Sequence, residues 1–368
     1  MAPIPLLTAT GDAHARGLAH GRRFRQEIAQ NLETYLGCFA ACGLDRDAAF
    51  GEAEPWREAI AALAPAYSEE MRGIAEGAGQ TEAVIALLNA RYELAFSLFG
   101  KEAMRQELLA VDGCTTFGLL PEITADRHSW LGQNWDWLEG VHGRTFVLRV
   151  ERKDKPSFVC LTEAGIAGGK QGVNECGVGL VENGLASNHD GKHPYRKPFH
   201  VRCREVLDAE SLDDALPAVS EGPRTCSANF LIGQAGGSIV DVETSPDHAS
   251  RLYPHNGIIT HSNHFLTGGH GESLLERVSP STLYRADRVR ELLGEASGAI
   301  PFEHMRRAAT DHFGAPSAVC RHPDPAEPIA KRTMTVGAVL IDLDARVMHV
   351  ANGPPCSNEY VPFSVRAG

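Results

Sequence analysis

Apolar residues recur every three or four positions through the first hundred residues, then fall into short blocks broken by turn residues. Between 14 and 42, Phe24, Ile28, Leu32, Leu36 and Phe39 line one face of a long predicted helix. Trp56, Ile60, Leu63, Tyr67, Met71 and Ile74 repeat the pattern until Gly77 and Gly79 stop it. Thr81 is placed to cap a third helix carrying Ile85, Leu88, Tyr92 and Phe96. Beyond residue 114 the runs TFVLRVER from 145, SFVCLTEAG from 157, GVGLVENG from 177 and ANFLIGQAGGSIVDVETSP from 228 read as antiparallel strands and hairpins. Helical spacing returns around 198 to 220 and 281 to 312. RHPDPAEPIA at 321 to 330 reads as a loop, and TMTVGAVLIDLDARVMHVANGPP as a closing hairpin that turns near Asp342 to Arg346. A helical front followed by strands, helices and strands predicts an α+β layered fold. There is no internal repeat.

Composition narrows the class. The chain has 368 residues, 43% of them hydrophobic, and a net charge of -12. It carries no basic run, so neither nucleic acid nor an anionic membrane is an expected partner. The opening MAPIPLLTATGDAHARG has no charged region followed by a long apolar stretch, and no segment approaches ~20 apolar residues, which makes a cytoplasmic location the expectation. Nine cysteines, an odd number without compact spacing, fit a reduced compartment better than a disulfide framework.

Several motifs are set aside on their spacing. AGIAGGKQ at 164 lacks the first glycine of a phosphate loop and the hydroxyl residue after Lys170, and reads as a strand end with a glycine turn. Cys38 and Cys42 lie one helical turn apart without a partner pair, and His261 and His264 in THSNHF would face opposite sides of a strand, so no metal site is expected. No Gly-x-Ser-x-Gly elbow occurs.

The stretch VDGCTTFGLL remains. Cys114 reads either as a small buried hydrophobe or as a nucleophile that attacks the carbonyl before it, turning the peptide bond into a thioester that water hydrolyses. Gly113, with no Cβ, accepts unusual dihedrals and leaves its carbonyl accessible. Asp112 and the threonine hydroxyls are placed to polarise the bond. The freed α-amine, with a reference pKa of about 7.7 to 8, can then take the thiol proton, so nucleophile and base belong to one residue.

GQNWDW at 132 to 137, TEAGI at 162, GVNECGVGLVENGL at 172, HSNHF at 261 and the closing ANGPP accompany DGCTT, with RGLAHG near 16, RGIAEGAG at 72 and LLNARYELAF at 87 ahead of it. In this order they resemble the acyl-coenzyme A:6-aminopenicillanic acid acyltransferase family of autoproteolytic N-terminal nucleophile hydrolases, across essentially the whole chain. The resemblance implies one domain with a four-layer αββα sandwich of two antiparallel sheets. It implies a cut between Gly113 and Cys114 that leaves a helical small subunit, 1 to 113, associated with a large subunit, 114 to 368.

It further implies Cys114 as nucleophile, Asp136 as the carboxylate near the α-amine and Asn263 as oxyanion donor. Gly184, where the family has alanine, keeps a backbone role, and Arg332 stands near the active site as a partner for a substrate carboxylate or for the propeptide. The bland alternatives are a strand-end aspartate, a turn asparagine and a solvated arginine. The expected substrate is a small linear amide, such as an N-acyl amino acid, or an acyl thioester. No cofactor is required, although acyl-coenzyme A could serve as acyl donor. Two other readings stay open: an uncleaved binding protein of the same fold, and a single-chain thiol hydrolase that uses Cys114 with His261 or His264.

Overall fold

A computed structural model describes residues 3–104 and 113–366, so Asp112 lies outside the described residues. The chain starts with strand β1 (Leu6–Ala9) and continues through helices α1 (Ala13–Arg23), α2 (Arg25–Ala41), α3 (Arg46–Leu63), α4 (Pro65–Ala78), α5 (Glu82–Asn89) and α6 (Arg91–Met104). Strands β2 (Thr115–Leu119), β3 (Trp130–Leu138), β4 (Thr145–Val150), β5 (Phe158–Glu163), β6 (Gly172–Asn174) and β7 (Val178–Gly184) follow. Next come α7 (Phe199–Leu207), α8 (Leu212–Ser220), β8 (Ala228–Gln234), β9 (Ser238–Thr244), β10 (Ala249–Leu252) and β11 (Ile258–His261). The last elements are α9 (Leu275–Val278), α10 (Thr282–Gly294), α11 (Phe302–Ala309), β12 (Thr333–Asp342), β13 (Val347–Ala351) and β14 (Val361–Ser364).

The three long helices expected at the front are each split in two. Phe24 leaves helical geometry at φ −121° and ψ 31°, which separates α1 from α2. Ala64 leaves helical geometry at φ −147° and ψ 70° because it precedes Pro65, whose ring disfavours a helical neighbour, and Pro65 opens α4. Thr81 caps α5 as expected, its hydroxyl accepting from the Val84 amide, but Ala90 ends that helix before Tyr92.

Among the described residues the strands form two sheets, ordered β1-β4-β5-β6-β7-β8-β9-β10 and β11-β2-β3-β12-β13-β14. The sheets pack face to face through β2 and β3 against β7 and β8, with α7 and α8 outside the first sheet and α10 and α11 outside the second. This is the αββα layering. Two details depart from expectation: β1 pairs parallel with β4 while the other pairs are antiparallel, and the segment before Gly113 therefore contributes a strand as well as helices. Strand alternation sorts the side chains. Phe117 and Leu119 of β2 and Trp130 of β3 face α10 and α11 in a core with Val289, Leu293 and Met305, whereas Leu131, Trp135 and Trp137 face the inter-sheet core.

Helices α1 and α4 lie backbone to backbone. A Cβ on Gly17 or Gly21 of α1 would overlap the carbonyl oxygens of Glu70 and Ile74, and one on Gly73 or Gly77 of α4 would overlap those of His14 and Leu18. This close approach accounts for the glycines of RGLAHG and RGIAEGAG. It also brings Arg16 to Glu70 at 3.0 Å, and Arg204 of α7 reaches the same carboxylate at 2.8 Å. The front helices are thereby tied to the layer outside the first sheet. Among the described residues no helix is long and apolar enough to cross a membrane.

Gly17→Ala is expected to cost about 1–3 kcal/mol of unfolding free energy through overpacking. Gly37 of α2 faces open space, and Gly37→Ala is expected to add roughly 0.5–1 kcal/mol by lowering backbone entropy. Urea unfolding of the two variants checks both signs.

Candidate active site

Register brings the expected residues together. Thr115 of β2 pairs with Asn134 of β3, which sets Gly113 level with Asp136, and Asp136 in turn pairs with Thr335 of β12. On the other side His261 of β11 pairs with Thr116, so the chain two residues further on places Asn263 level with Cys114. Gly184, at the end of β7 in the facing sheet, accepts from the Asn263 side-chain amide at 2.9 Å. Cys114 is buried in the inter-sheet core, and its thiol donates to the Asp136 carbonyl at 3.6 Å. Cys114, Asp136, Asn263, Gly184 and Gly113 thus occupy one neighbourhood.

Two arginines that sequence reasoning passed over hold this neighbourhood. Arg285 of α10 is fully buried. It donates to the carbonyl oxygens of Gly113 and of Cys114, the latter at 2.7 Å, to the Thr115 hydroxyl at 2.7 Å and to Asn263 Oδ1 at 2.7 Å. Its position carried a signal: it falls among Thr282, Ala286 and Val289 on the buried face of α10, where an arginine is costly unless paired. Arg321 lies in the irregular segment before β12, where no periodicity could single it out. Its guanidinium packs where a side chain on Gly113 would stand, with Nε 3.3 Å from Asp136 Oδ2 and Nη1 donating to the Thr333 hydroxyl at 3.1 Å. The Thr335 hydroxyl donates to Asp136 Oδ1 at 2.6 Å.

Arg332 is placed elsewhere. It meets Glu139 at 3.4 Å and the carbonyls of Pro325 and Glu327, while Thr333 and Thr335 point to the opposite, Arg321 side. The guanidinium groups beside Gly113 and Cys114 are therefore those of Arg285 and Arg321, not that of Arg332. A cavity of ≈190 Å³ adjoins Arg321, lined by Ser279, Ser281, Ser317, Glu327 and Thr333 among others.

The two histidines of THSNHF are engaged in structure. His261 Nε2 meets Glu243 at 2.8 Å, and its Nδ1 meets the Ser262 carbonyl at 2.8 Å, so both ring nitrogens are occupied. Burial works against the Glu243 carboxylate, yet hydrogen bonds from His261, Leu266 and Thr267 hold its pKa down at about 2. Burial likewise opposes the His261 cation, but Asp241 and Glu243 raise its pKa above the ordinary value. His264 contacts the Thr282 and Ser262 hydroxyls through Nδ1. Lys170, at the end of the glycine turn, is also structural: it lies 3.3 Å over the Trp135 ring and pairs with Glu163 at 3.1 Å.

Asp136→Ala would leave the buried Arg321 guanidinium without its carboxylate and is expected to cost about 3–5 kcal/mol. Arg332→Ala removes a partly exposed pair and is expected to stay within about 1 kcal/mol. Chemical denaturation of the two variants checks the contrast.

The chain is 29% identical over 319 residues to the acyl-coenzyme A:6-aminopenicillanic-acid-acyltransferase 40 kDa form of Emericella nidulans, covering 86% of this chain and 84% of that one. Similar solved structures include the Caenorhabditis elegans ortholog of N-acylethanolamine-hydrolyzing acid amidase, with a TM-score of 0.48, 14% identity and coverage of 63% and 93% of the two chains. They also include a conjugated bile acid hydrolase mutant from Clostridium perfringens, with a TM-score of 0.45, 14% identity and coverage of 68% and 96%. The family model described as acyl-coenzyme A:6-aminopenicillanic acid acyl-transferase matches residues 123–355, more than half of the chain, and the chain belongs to that family.

Proposed function

We propose that the chain cuts itself between Gly113 and Cys114 and then works as an N-terminal cysteine amidohydrolase or acyltransferase. The observation that carries this reading is the buried Arg285 guanidinium on the Gly113 carbonyl oxygen, with the Cys114 thiol on the next residue. A cation on that oxygen polarises the carbonyl and stabilises the oxyanion formed when sulfur adds to it. The carbon–sulfur bond forms, the carbon–nitrogen bond breaks, and the thiol proton passes to the departing nitrogen. Water then hydrolyses the thioester, leaving a Gly113 carboxyl group and a free Cys114 α-amine.

In the mature enzyme that amine, with a reference pKa of about 7.7 to 8, takes the thiol proton as sulfur attacks a substrate carbonyl, and returns it to the leaving amine or thiol. Asp136, level with residue 113, holds the ammonium form. Asn263 supplies the oxyanion donor once its amide turns from Gly184, and Arg285 orients it through Oδ1. The acyl-enzyme passes its acyl group to water or to an amine. The substrate class is a small linear amide, such as an N-acyl amino acid, or an acyl thioester. Because Arg332 is engaged with Glu139, it is not assigned the substrate carboxylate.

Contacts across the cut favour fragments that stay together. Glu163 takes Arg91 and Tyr35 from the front segment, Asn31 donates to the Ala164 carbonyl, Tyr92 donates to the Ser227 carbonyl, and β1 remains paired with β4. The occupied ring nitrogens of His261 weigh against a single-chain enzyme with that histidine as base.

Intact mass should resolve the 39.7 kDa chain into fragments of about 12 and 28 kDa, at ~110 Da per residue, that coelute on gel filtration. N-terminal sequencing should read from Cys114, and Cys114→Ala should remain whole and inactive. Active protein that is uncut would sink the reading. In the processed enzyme, Asn263→Ala is expected to lower kcat by roughly 10²–10³. Assay of N-acyl amino acids, their amides and acyl thioesters, each with and without an amine acceptor, separates hydrolysis from transfer.

A further inference from the structure

Outside the nucleophile's surroundings, four side chains from separate parts of the chain converge on one point. His312 follows α11, Cys320 and His322 flank Arg321, and Cys356 follows β13. Their ligating atoms all lie within 4.8 Å of one another. His322 Nε2 is 3.1 Å from His312 Nε2, 3.3 Å from Cys356 Sγ and 3.8 Å from Cys320 Sγ.

One ring nitrogen directs one lone pair or one N–H along its axis, so it cannot satisfy three such neighbours by hydrogen bonding. A shared cation at the centre satisfies all four groups. Zinc bonds of about 2.0–2.1 Å to nitrogen and about 2.3 Å to sulfur, at tetrahedral angles, separate the ligands by roughly 3.3 to 3.8 Å. The spacings of 3.3 and 3.8 Å from His322 to the two sulfurs fall in that range, and the 3.1 Å between the two ring nitrogens lies just below it. Two thiolates also neutralise the dication, and two thiolates with two imidazoles select zinc over harder cations.

We propose that His312, Cys320, His322 and Cys356 bind one zinc(II) ion in a closed tetrahedral site. With four protein ligands the site has no open position for substrate, so its role is structural. It ties the irregular segment between α11 and β12 to the turn after β13. Arg321 sits between two of the ligands, and the ion therefore fixes the stretch of backbone that presents its guanidinium to Gly113 and Asp136. The spacing of the ligands along the chain has no compact pair of pairs, which is why sequence reading expected no metal here.

The site stands whether or not the chain is processed, and its test reads metal rather than turnover. Tag-free protein prepared without chelator and dialysed against zinc(II) is expected to retain one zinc per chain by elemental analysis. Cobalt(II) in its place should give the visible bands of a tetrahedral ion with a near-ultraviolet thiolate band. Cys356→Ser and His312→Ala alter exposed ligands, so both variants are expected to fold, to lose the stoichiometric zinc and to melt lower than the parent. Folded parent protein that holds no zinc after dialysis would overturn the proposal. So would undiminished zinc in both variants, or a Cys320–Cys356 disulfide in the peptide map of freshly purified protein.

Discussion

Everything around Cys114 depends on two buried guanidinium groups placed against one peptide unit. A buried cation is tolerated only where oxygen atoms surround it. Arg285 finds the carbonyls of Gly113 and Cys114, the Thr115 hydroxyl and Asn263 Oδ1, while Arg321 finds Asp136 and Thr333. Since Arg321 occupies the place of a residue-113 side chain, a larger residue at position 113 would have to push that guanidinium away from Asp136. The same crowding directs positive charge at the carbonyl that the neighbouring thiol would attack.

Such an arrangement holds only if the elements that carry it cannot slide. Moving β3 by one residue against β2 would turn Asp136 toward the facing sheet and leave Arg321 unpaired. The register is secured from both sides. On the outer face Asn134 donates to the carbonyls of Ala309 and Val319, each at 2.8 Å, which pins α11 and the segment leading to Arg321. On the inner face Gln133 exchanges hydrogen bonds with the Glu182 backbone of β7. The buried Glu163 cluster with Arg91, Tyr35 and Lys170 acts in the same way for the front helices. Buried ion pairs of this kind add little net stability, but they penalise any docking that separates the partners.

Much of this was legible in the residue order, because hydrophobic period and turn chemistry are local properties. The 3.6-residue spacing before residue 100 and the short blocks after 114 marked the helices and most strands, Thr81 marked a cap, and the turn near Asp342 to Arg346 joined β12 to β13. The breaks at Phe24 and Ala90 were not visible, since the apolar spacing runs on through both. Strand β1 was too short to stand out, and its parallel partner lies far along the chain. For the site, DGCTT, NWD and HSNHF pointed to Cys114, Asp136 and Asn263 through their resemblance to a family, and strand register then set them side by side.

Which arginines lie beside Cys114 was a matter for tertiary structure. Arg285, Arg321 and Arg332 are chemically identical in the sequence, and an arginine's role is set by which oxygens surround it after folding. The spacing along α10 marks Arg285 as facing inward, but only the packing of α10 on β2 supplies the oxygens it meets, and only the path of the segment before β12 brings Arg321 to Asp136 while Arg332 turns to Glu139. The convergence of His312, Cys320, His322 and Cys356 has the same origin. Residue order by itself determined the alternation of helices and strands and the chemistry available at position 114. The surroundings of that thiol came from contacts between distant segments, because pairing and burial of charge exist only once those segments meet.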